Sequence, residues 1–204
     1  MNIDLLKKVQ KFDLKYILQN KGYVFFEKGD YNLNIIGVRC NKINQNDLFE
    51  DLLILTFKNN SCWETYYFSI TTTPGIYYLN KPLSKSGCAI VFPNQYRGLY
   101  KIGFHKGKYE ALVQKKKIQI YRDNNKDNIL DFDLNTLKEQ ENLGINIHGP
   151  YKKNTILNKI GKYSAGCQVF QSYNELEEFL NVCKKSAEIY GNSFTYTLLE
   201  EKDF

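Results

Sequence analysis

The first 20 residues carry apolar side chains at the spacing of an α-helix. These side chains recur every three or four positions, at Leu5, Val9, Phe12 and Tyr16. Gly22 follows them, where the C-terminal cap of a helix belongs. The pattern predicts one helix over residues 3–20.

Beyond Gly22 the apolar runs become short and extended. Two of them flank Lys28-Gly29-Asp30 and predict a first hairpin; LLILTF and CWETYYFSITT flank Asn59-Asn60-Ser61 and predict a second. From Pro74 to Tyr121, Gly, Pro and Asn separate further runs that predict strands, namely IYYL, CAIVF, LYKIGF, YEALV and KIQIY.

The C-terminal third returns to a helical pattern. A short helix is expected around Leu134–Leu143. Ser172 and Glu175 have the spacing of a capping box. They open a helix that ends at Gly191, and its apolar face comprises Leu176, Phe179, Leu180, Cys183 and Ala187. The segment FTYTLLE then predicts a last strand.

These elements predict a mainly β fold (β-rich α+β) with a few helices. A chain of 204 residues suits one hydrophobic core. Residues 1–48 are predicted to form an N-terminal helix and hairpin packed on a main domain of residues 49–204.

The composition argues against several classes of protein. No run of 18 apolar residues occurs, so no membrane span is expected. The charged N-terminus lacks the apolar region of a secretory signal, which predicts a cytoplasmic or virion-associated protein. Five cysteines without a CxxC pair indicate neither a disulfide framework nor a zinc ribbon, and no cofactor is expected.

The net charge of +6 is spread over scattered lysines with only three arginines. Such lysines form a solvated face or attract an anionic polymer, either nucleic acid or cell-wall glycan. Aromatic strings and arginine clusters typical of nucleic-acid readers are missing, so nucleic acid is not expected as a partner.

The stretch INIHGPYKKNTILNKIGKYSAGCQVF contains the candidate catalytic residues. His148 ends a predicted strand, and Cys167 follows small residues that allow a tight turn. A cysteine nucleophile needs a base within reach and donors for the developing oxyanion. We expect His148 as the base, and the amides of Gly166 and Cys167, together with Ser164, as donors.

Two plainer interpretations stay open at this point. Cys167 can be a buried structural cysteine with His148 on the surface. His105 is the only other histidine, and it is an alternative base.

His148-Gly149, a gap of 15 residues and Ser164-x-Gly166-Cys167 together resemble the signature of the L,D-transpeptidase (YkuD-like) catalytic domain. The similarity is close over about residues 145–200 and loose over 50–144. The chain also resembles poorly characterised phage proteins that carry such a domain.

The resemblance implies a β-sandwich or barrel in which Cys167 is the nucleophile and His148 the general base. The carbonyl of Gly149 would orient a partner in the site. Cys167 would form a thioester with a peptidoglycan stem peptide, and an amine or water would then accept the acyl group. For a phage-encoded enzyme, hydrolysis is the expected outcome.

Two positions depart from the family pattern. Ala165 replaces a frequent histidine, and Val169 replaces the usual arginine after the cysteine. Arg97 is a candidate replacement for that arginine as a substrate-binding residue. A non-catalytic virion or wall-binding protein on a degenerate version of the fold is the competing hypothesis. A papain-like peptidase is disfavoured because its cysteine precedes its histidine.

One further pattern resembles a calcium loop. Its ligand positions would be Asp123, Asn125, Asp127 and Asp131. Leu134 replaces the bidentate glutamate that such loops require. An Asn-rich turn with solvated acids is the favoured interpretation.

Overall fold

The computed structural model describes the whole chain, residues 1–204. The helices are α1 (Ile3–Val9), α2 (Leu14–Asn20), α3 (Ile76–Asn80) and α4 (Tyr173–Tyr190). The strands are β1 (Asn34–Arg39), β2 (Asp51–Asn59), β3 (Cys62–Thr71), β4 (Cys88–Val91), β5 (Gln95–His105), β6 (Tyr109–Gln114), β7 (Ile118–Asp123), β8 (Lys138–Gln140), β9 (Ile147–His148), β10 (Gln168–Phe170) and β11 (Phe194–Glu200). Single 3-10 turns lie at Leu134–Thr136 and Glu201–Asp203.

Eight strands close into a barrel in the order β1-β11-β5-β6-β9-β10-β3-β2. The pairs β1/β11 and β9/β10 are parallel, and the other neighbours are antiparallel. A second sheet has the order β4-β7-β8. The prediction of a mainly β, β-rich α+β fold is confirmed.

Strands β1 and β2 are buried on both faces, which explains their continuous apolar sequences. Ile35 and Leu53 belong to the main core, together with α4 residues such as Phe179. Ile36 and Leu52 point the other way and pack under α1 and α2. Because successive side chains of a strand alternate between faces, a strand covered on both faces needs apolar residues throughout.

The predicted helix over residues 3–20 is two helices. Helix α1 ends at Val9, and the Asp13 side chain accepts hydrogen bonds from the amides of Lys15 and Tyr16 to cap α2. An aspartate at an N-cap satisfies amides that the start of a helix leaves free. The apolar spacing continues across this break, so the spacing alone did not reveal it.

The first predicted hairpin is wrong. The segment GYVFF is not a strand, and β1 instead pairs with β2 and β11. The boundary drawn after residue 48 therefore separates two hydrogen-bonded strands of one barrel. The physical reason is that β1 finds its partners at distant positions of the chain.

The second hairpin is confirmed as β2 and β3. Asn60 and Ser61 both have positive φ, at 50° and 63°. A two-residue turn with positive φ at both positions matches the twist of the flanking strands.

Two further predictions need correction. IYYL, predicted as a strand, forms α3, whose Leu79 is fully buried. The helix expected at 134–143 is a single 3-10 turn followed by β8. The strands β4 to β7, the capped helix α4 and the last strand β11 are confirmed. No helix of the chain has the length and apolar character of a membrane span.

Candidate active site on the barrel wall

The parallel strands β9 and β10 bring the two halves of the motif together. Gln168 pairs with Ile147, and Val169 pairs with His148. Ile147 and Phe170 face the main core. Because side chains alternate along a strand, His148 and Cys167 project from the opposite, outer face of the barrel.

Strands β5 and β6 add two side chains to this outer face. His105 pairs with Tyr109 across their turn. The His105 ring stacks on the His148 ring, with centroids 3.9 Å apart and planes at 23°. Strands β5, β6 and β9 therefore supply one cluster of two imidazoles and a phenol.

Cys167 lines a cavity of about 680 Å³ on this face. Its other walls come from the segment 83–89, from 143–146 and from Lys162-Tyr163. His105 and Asn146 also line the cavity. A cavity of this size is in the range of pockets that hold a small molecule or a peptide fragment.

The thiol of Cys167 has only backbone hydrogen-bond partners. Sγ lies 3.3 Å from the Gly144 carbonyl, to which it donates, and 3.5 Å from the Asn146 N–H, which donates to it. Burial raises the pKa of the Cys167 thiol to about 11, against the lowering effect of the Asn146 N–H and the Lys106 charge. The sulfur is therefore a neutral thiol at pH 7.

The turn before Cys167 is held by Ser164. Its hydroxyl donates to the Cys167 carbonyl at 2.9 Å and accepts from the Gly166 N–H at 3.2 Å. This engagement assigns Ser164 and the Gly166 amide to the turn, which corrects their predicted role as oxyanion donors. The Cys167 N–H makes no hydrogen bond within the chain and stays free to donate.

Position 166 requires a glycine because strand β4 lies close to its backbone. Its φ is +128°, and a Cβ there would lie 2.4 Å from the Ala89 carbonyl oxygen. Only glycine fits both the conformation and the space.

The hydrogen bonds of Tyr109 determine the tautomer of His148. The Tyr109 hydroxyl lies 3.1 Å from the Gly149 carbonyl and 3.1 Å from Nδ1 of His148. A carbonyl only accepts, so the single phenolic proton points to Gly149 and Nδ1 must carry the imidazole proton. Nε2 of His148 is buried without a hydrogen bond, and the Gly149 and Tyr163 carbonyls beside the ring raise the pKa of His148 against the larger effect of burial.

The opposite tautomer follows for His105. The Gln114 N–H donates to Oδ1 of Asn146, so the Asn146 amide group turns its Nδ2 towards Nδ1 of His105, 3.0 Å away. Nδ1 of His105 must accept, and its proton sits on Nε2. The stacked pair thus offers one base and one donor.

Both imidazoles are neutral at pH 7. Burial, and after it the neighbouring His105, lowers the pKa of His148 to about 3. Burial and the Lys106 charge lower the pKa of His105 to about 4. At pH 7 neither ring therefore forms an ion pair with the thiol.

The predicted pair lies on one face of the barrel without a direct bond. In the register of β9 and β10, His148 lies level with Val169, two residues beyond Cys167. Two residues span about 7 Å along a strand. Accordingly, Sγ of Cys167 makes its hydrogen bonds with the Gly144 carbonyl and the Asn146 N–H, and none with the imidazole.

Arg97 lies away from the cavity of Cys167. Its guanidinium stacks over Phe26, 5.3 Å from the ring centroid, and it lines a different pocket with Lys116 and Ser193. This placement corrects its predicted role as a substrate-binding residue.

The calcium-like segment forms a turn closed by its own side chains. Oδ1 of Asn125 accepts from the Asp127 N–H, and Nδ2 of Asn125 donates to Asp131. Oδ2 of Asp123 accepts from the Asp131 N–H. No group of three or more His, Cys, Asp or Glu side chains is placed to hold a metal ion.

Sequence reasoning missed Tyr109, Asn146 and Lys106. The alternation of side chains along strands could have pointed to them. The tight turn Lys106–Lys108 places His105 opposite Tyr109, and Asn146 precedes His148 by two residues and so lies on the same face. That signal becomes readable only when the strand partners are known.

In comparisons with known proteins, no family model, no curated protein and no solved structure matches this chain. The resemblance to L,D-transpeptidases therefore depends on the motif of residues 148–167 alone.

Proposed function

We propose that this protein is a cysteine-dependent acyl-transfer enzyme acting on peptidoglycan stem peptides, in the manner of L,D-transpeptidases. The observation that carries the proposal is the placement of the His148 ring and the Cys167 thiol on one outer face of the barrel, where Cys167 lines a cavity. The motif of residues 148–167 supplies the substrate class.

The reaction would begin from neutral groups. His148 Nε2 accepts the thiol proton as Sγ forms a bond to the carbonyl carbon of the stem peptide. The Cys167 N–H donates to the oxyanion. The imidazolium then returns the proton to the leaving amine as the C–N bond breaks, which leaves a thioester on Cys167.

A second acceptor completes the cycle. An amine of a neighbouring stem gives a crosslink, and water gives hydrolysis; in both cases His148 takes the proton of the attacking group and returns it to Sγ as the C–S bond breaks. For a phage-encoded protein, hydrolysis is the more useful outcome.

Purified muropeptides provide the test. The protein is expected to convert them to hydrolysed or crosslinked products seen by mass spectrometry, with an acyl adduct on Cys167. The variant Cys167→Ala is expected to lose this activity completely, and His148→Gln to lose at least about 100-fold. Cys183→Ala, at a cysteine inside the main core, is the matched control. Full activity in Cys167→Ala would contradict the mechanism.

A non-catalytic virion or wall-binding protein is the second candidate. Two observations favour it: the pKa of Cys167 is raised to about 11, and no hydrogen bond joins its sulfur to His148. A carbapenem or thiol probe separates the two, because an enzyme labels at Cys167 much faster than at its other cysteines. Equally slow labelling of all five would favour the binding protein.

A further inference from the structure

The cavity of Cys167 has an unbalanced charge. Three cationic side chains line it: Lys106, Arg122 and Lys162. No aspartate or glutamate lines it. None of the three cations belongs to a salt bridge of the chain.

Arg122 is a fixed positive charge in the cavity wall. Its Nη1 donates to the Gly87 carbonyl at 3.0 Å, and Nη2 donates to Gln140. Both acceptors are neutral, so the guanidinium charge is not cancelled. Its Nε is buried and has no hydrogen-bond partner.

The two lysines that line the cavity come from two different loops. Lys106 follows His105 in the β5–β6 turn, and its charge acts on Cys167. Lys162 lies in the segment before the Ser164 turn, with Nζ 4.4 Å from the Tyr77 ring centroid. An aromatic face leaves the lysine charge uncompensated by any anion.

We propose that this cavity is an anion-selective binding site, which takes acyl compounds bearing free carboxylates and disfavours their amidated counterparts. A cleft lined by charges of one sign raises the local concentration of ligands of the opposite sign. The reaction at this site depends on the proposed function. The class of ligand is inferred from the charge of the cavity.

Two alkylating reagents of nearly equal size but different charge test the site. Iodoacetate is an anion and iodoacetamide is neutral; with either reagent the thiolate displaces iodide and forms a C–S bond. Peptide mass spectrometry measures both rates at Cys167 and, in the same sample, at the exposed Cys62 as an internal reference.

The expected result is an iodoacetate-to-iodoacetamide rate ratio at Cys167 that exceeds the ratio at Cys62 by roughly threefold to tenfold at low salt. The excess is expected to fall in 1 M salt, where the screening length is about 3 Å. Lys106→Gln and Lys162→Gln are each expected to lower it by roughly twofold or more. Lys108→Gln, an exposed lysine in the same turn that does not line the cavity, is expected to leave it unchanged.

Three results would contradict the proposal of an anion-selective site. One is a ratio at Cys167 no higher than at Cys62. Another is a ratio that both lysine variants leave unchanged. The third is a Cys167 that reacts with neither reagent while Cys62 reacts with both.

Protection by small ligands extends the test to the acyl class. N-acetyl-dialanine as the free acid is expected to slow iodoacetamide labelling of Cys167, and its C-terminal amide to slow it less. Equal protection by the two would contradict the selectivity. Charge selectivity in a protein that leaves muropeptides intact would keep this site and discard the proposed reaction.

Discussion

At the residue scale, the candidate site places a protonated thiol and a neutral imidazole on one face of the barrel. The pKa of Cys167 is raised to about 11 and that of His148 is lowered to about 3, both mainly by burial. Burial disfavours the charged form of each group, so the resting site holds a thiol and a neutral imidazole. In the proposed reaction, proton transfer between them would accompany attack on the substrate.

The pH dependence of alkylation follows from the raised pKa of Cys167. Only the thiolate reacts, so the iodoacetamide rate at Cys167 is expected to rise about tenfold per pH unit from pH 7 to about pH 10. Stopped-time labelling with peptide mass spectrometry measures it. A rate that is already level below pH 7 would indicate a thiolate–imidazolium pair and would contradict the neutral resting state.

In the proposed reaction, Tyr109 is a positioning residue for His148. In Tyr109→Phe, Nδ1 loses its acceptor and the fixed tautomer is lost, so activity on muropeptides is expected to fall at least about tenfold. Nitrogen NMR of the imidazole is the decisive readout: the protein should show the Nδ1–H form, and the variant a mixture. Tyr151→Phe, at an exposed ring next to Tyr109, is the control. An unchanged tautomer in Tyr109→Phe would refute the assignment.

At the element scale, the position of Cys167 depends on how the turn before β10 meets β4. Gly166 approaches the Ala89 carbonyl too closely for any side chain, and Ser164 ties the turn to the Cys167 carbonyl. The segment that carries the sulfur is therefore fixed by a strand of the second sheet, which also forms one wall of the cavity.

Gly166→Ala tests this contact. The added Cβ is expected to destabilise the fold by roughly 3 kcal/mol, from the strained φ and the clash with β4. Gly107→Ala is the matched control, because Gly107 also has positive φ but nothing lies within 4 Å of its Cβ position. It should cost about 1 kcal/mol. Urea unfolding measures both; equal losses would show that the β4 contact is unimportant.

The sequence predicted elements where the pattern was local. The capping box of Ser172 located α4, and Asn60-Ser61 located the β2–β3 turn. The prediction failed where pairing between distant segments determined the structure. The sequence of β1 resembled half of a hairpin, but β1 pairs with β11, more than 150 residues away. For the site, spacing selected His148 and Cys167 but not the stacked His105.

At the scale of the whole molecule, distant segments hold the loop over the site. Asp47, which is buried, accepts hydrogen bonds from the Gly161 N–H at 3.1 Å and the Ile76 N–H at 3.0 Å. Its backbone carbonyl accepts from the Ile160 N–H at 2.9 Å. One carboxylate thus joins the segment before β2, the start of α3 and the loop between His148 and Cys167.

Removal of this carboxylate is expected to loosen the loop. Asp47→Ala should lower the free energy of unfolding by roughly 1–3 kcal/mol, because it leaves the partly buried amides of Ile76 and Gly161 without their acceptor. It should also speed iodoacetamide labelling of Cys167. Asp127→Ala is the control, since Asp127 caps only an exposed turn. If both variants behave alike in urea unfolding and labelling, Asp47 does not hold the loop.

The sequence by itself determined the β-rich class and the ends of α4 and singled out one cysteine and one histidine as a candidate pair, because each of these is encoded in neighbouring residues. The tertiary structure decided the barrel closure, the stacking of His105 on His148, the tautomer set by Tyr109 and the cationic cavity. These features arise from strands that meet only after folding: alternation along a strand is visible in the sequence, but which faces meet depends on strand partners far apart in the chain.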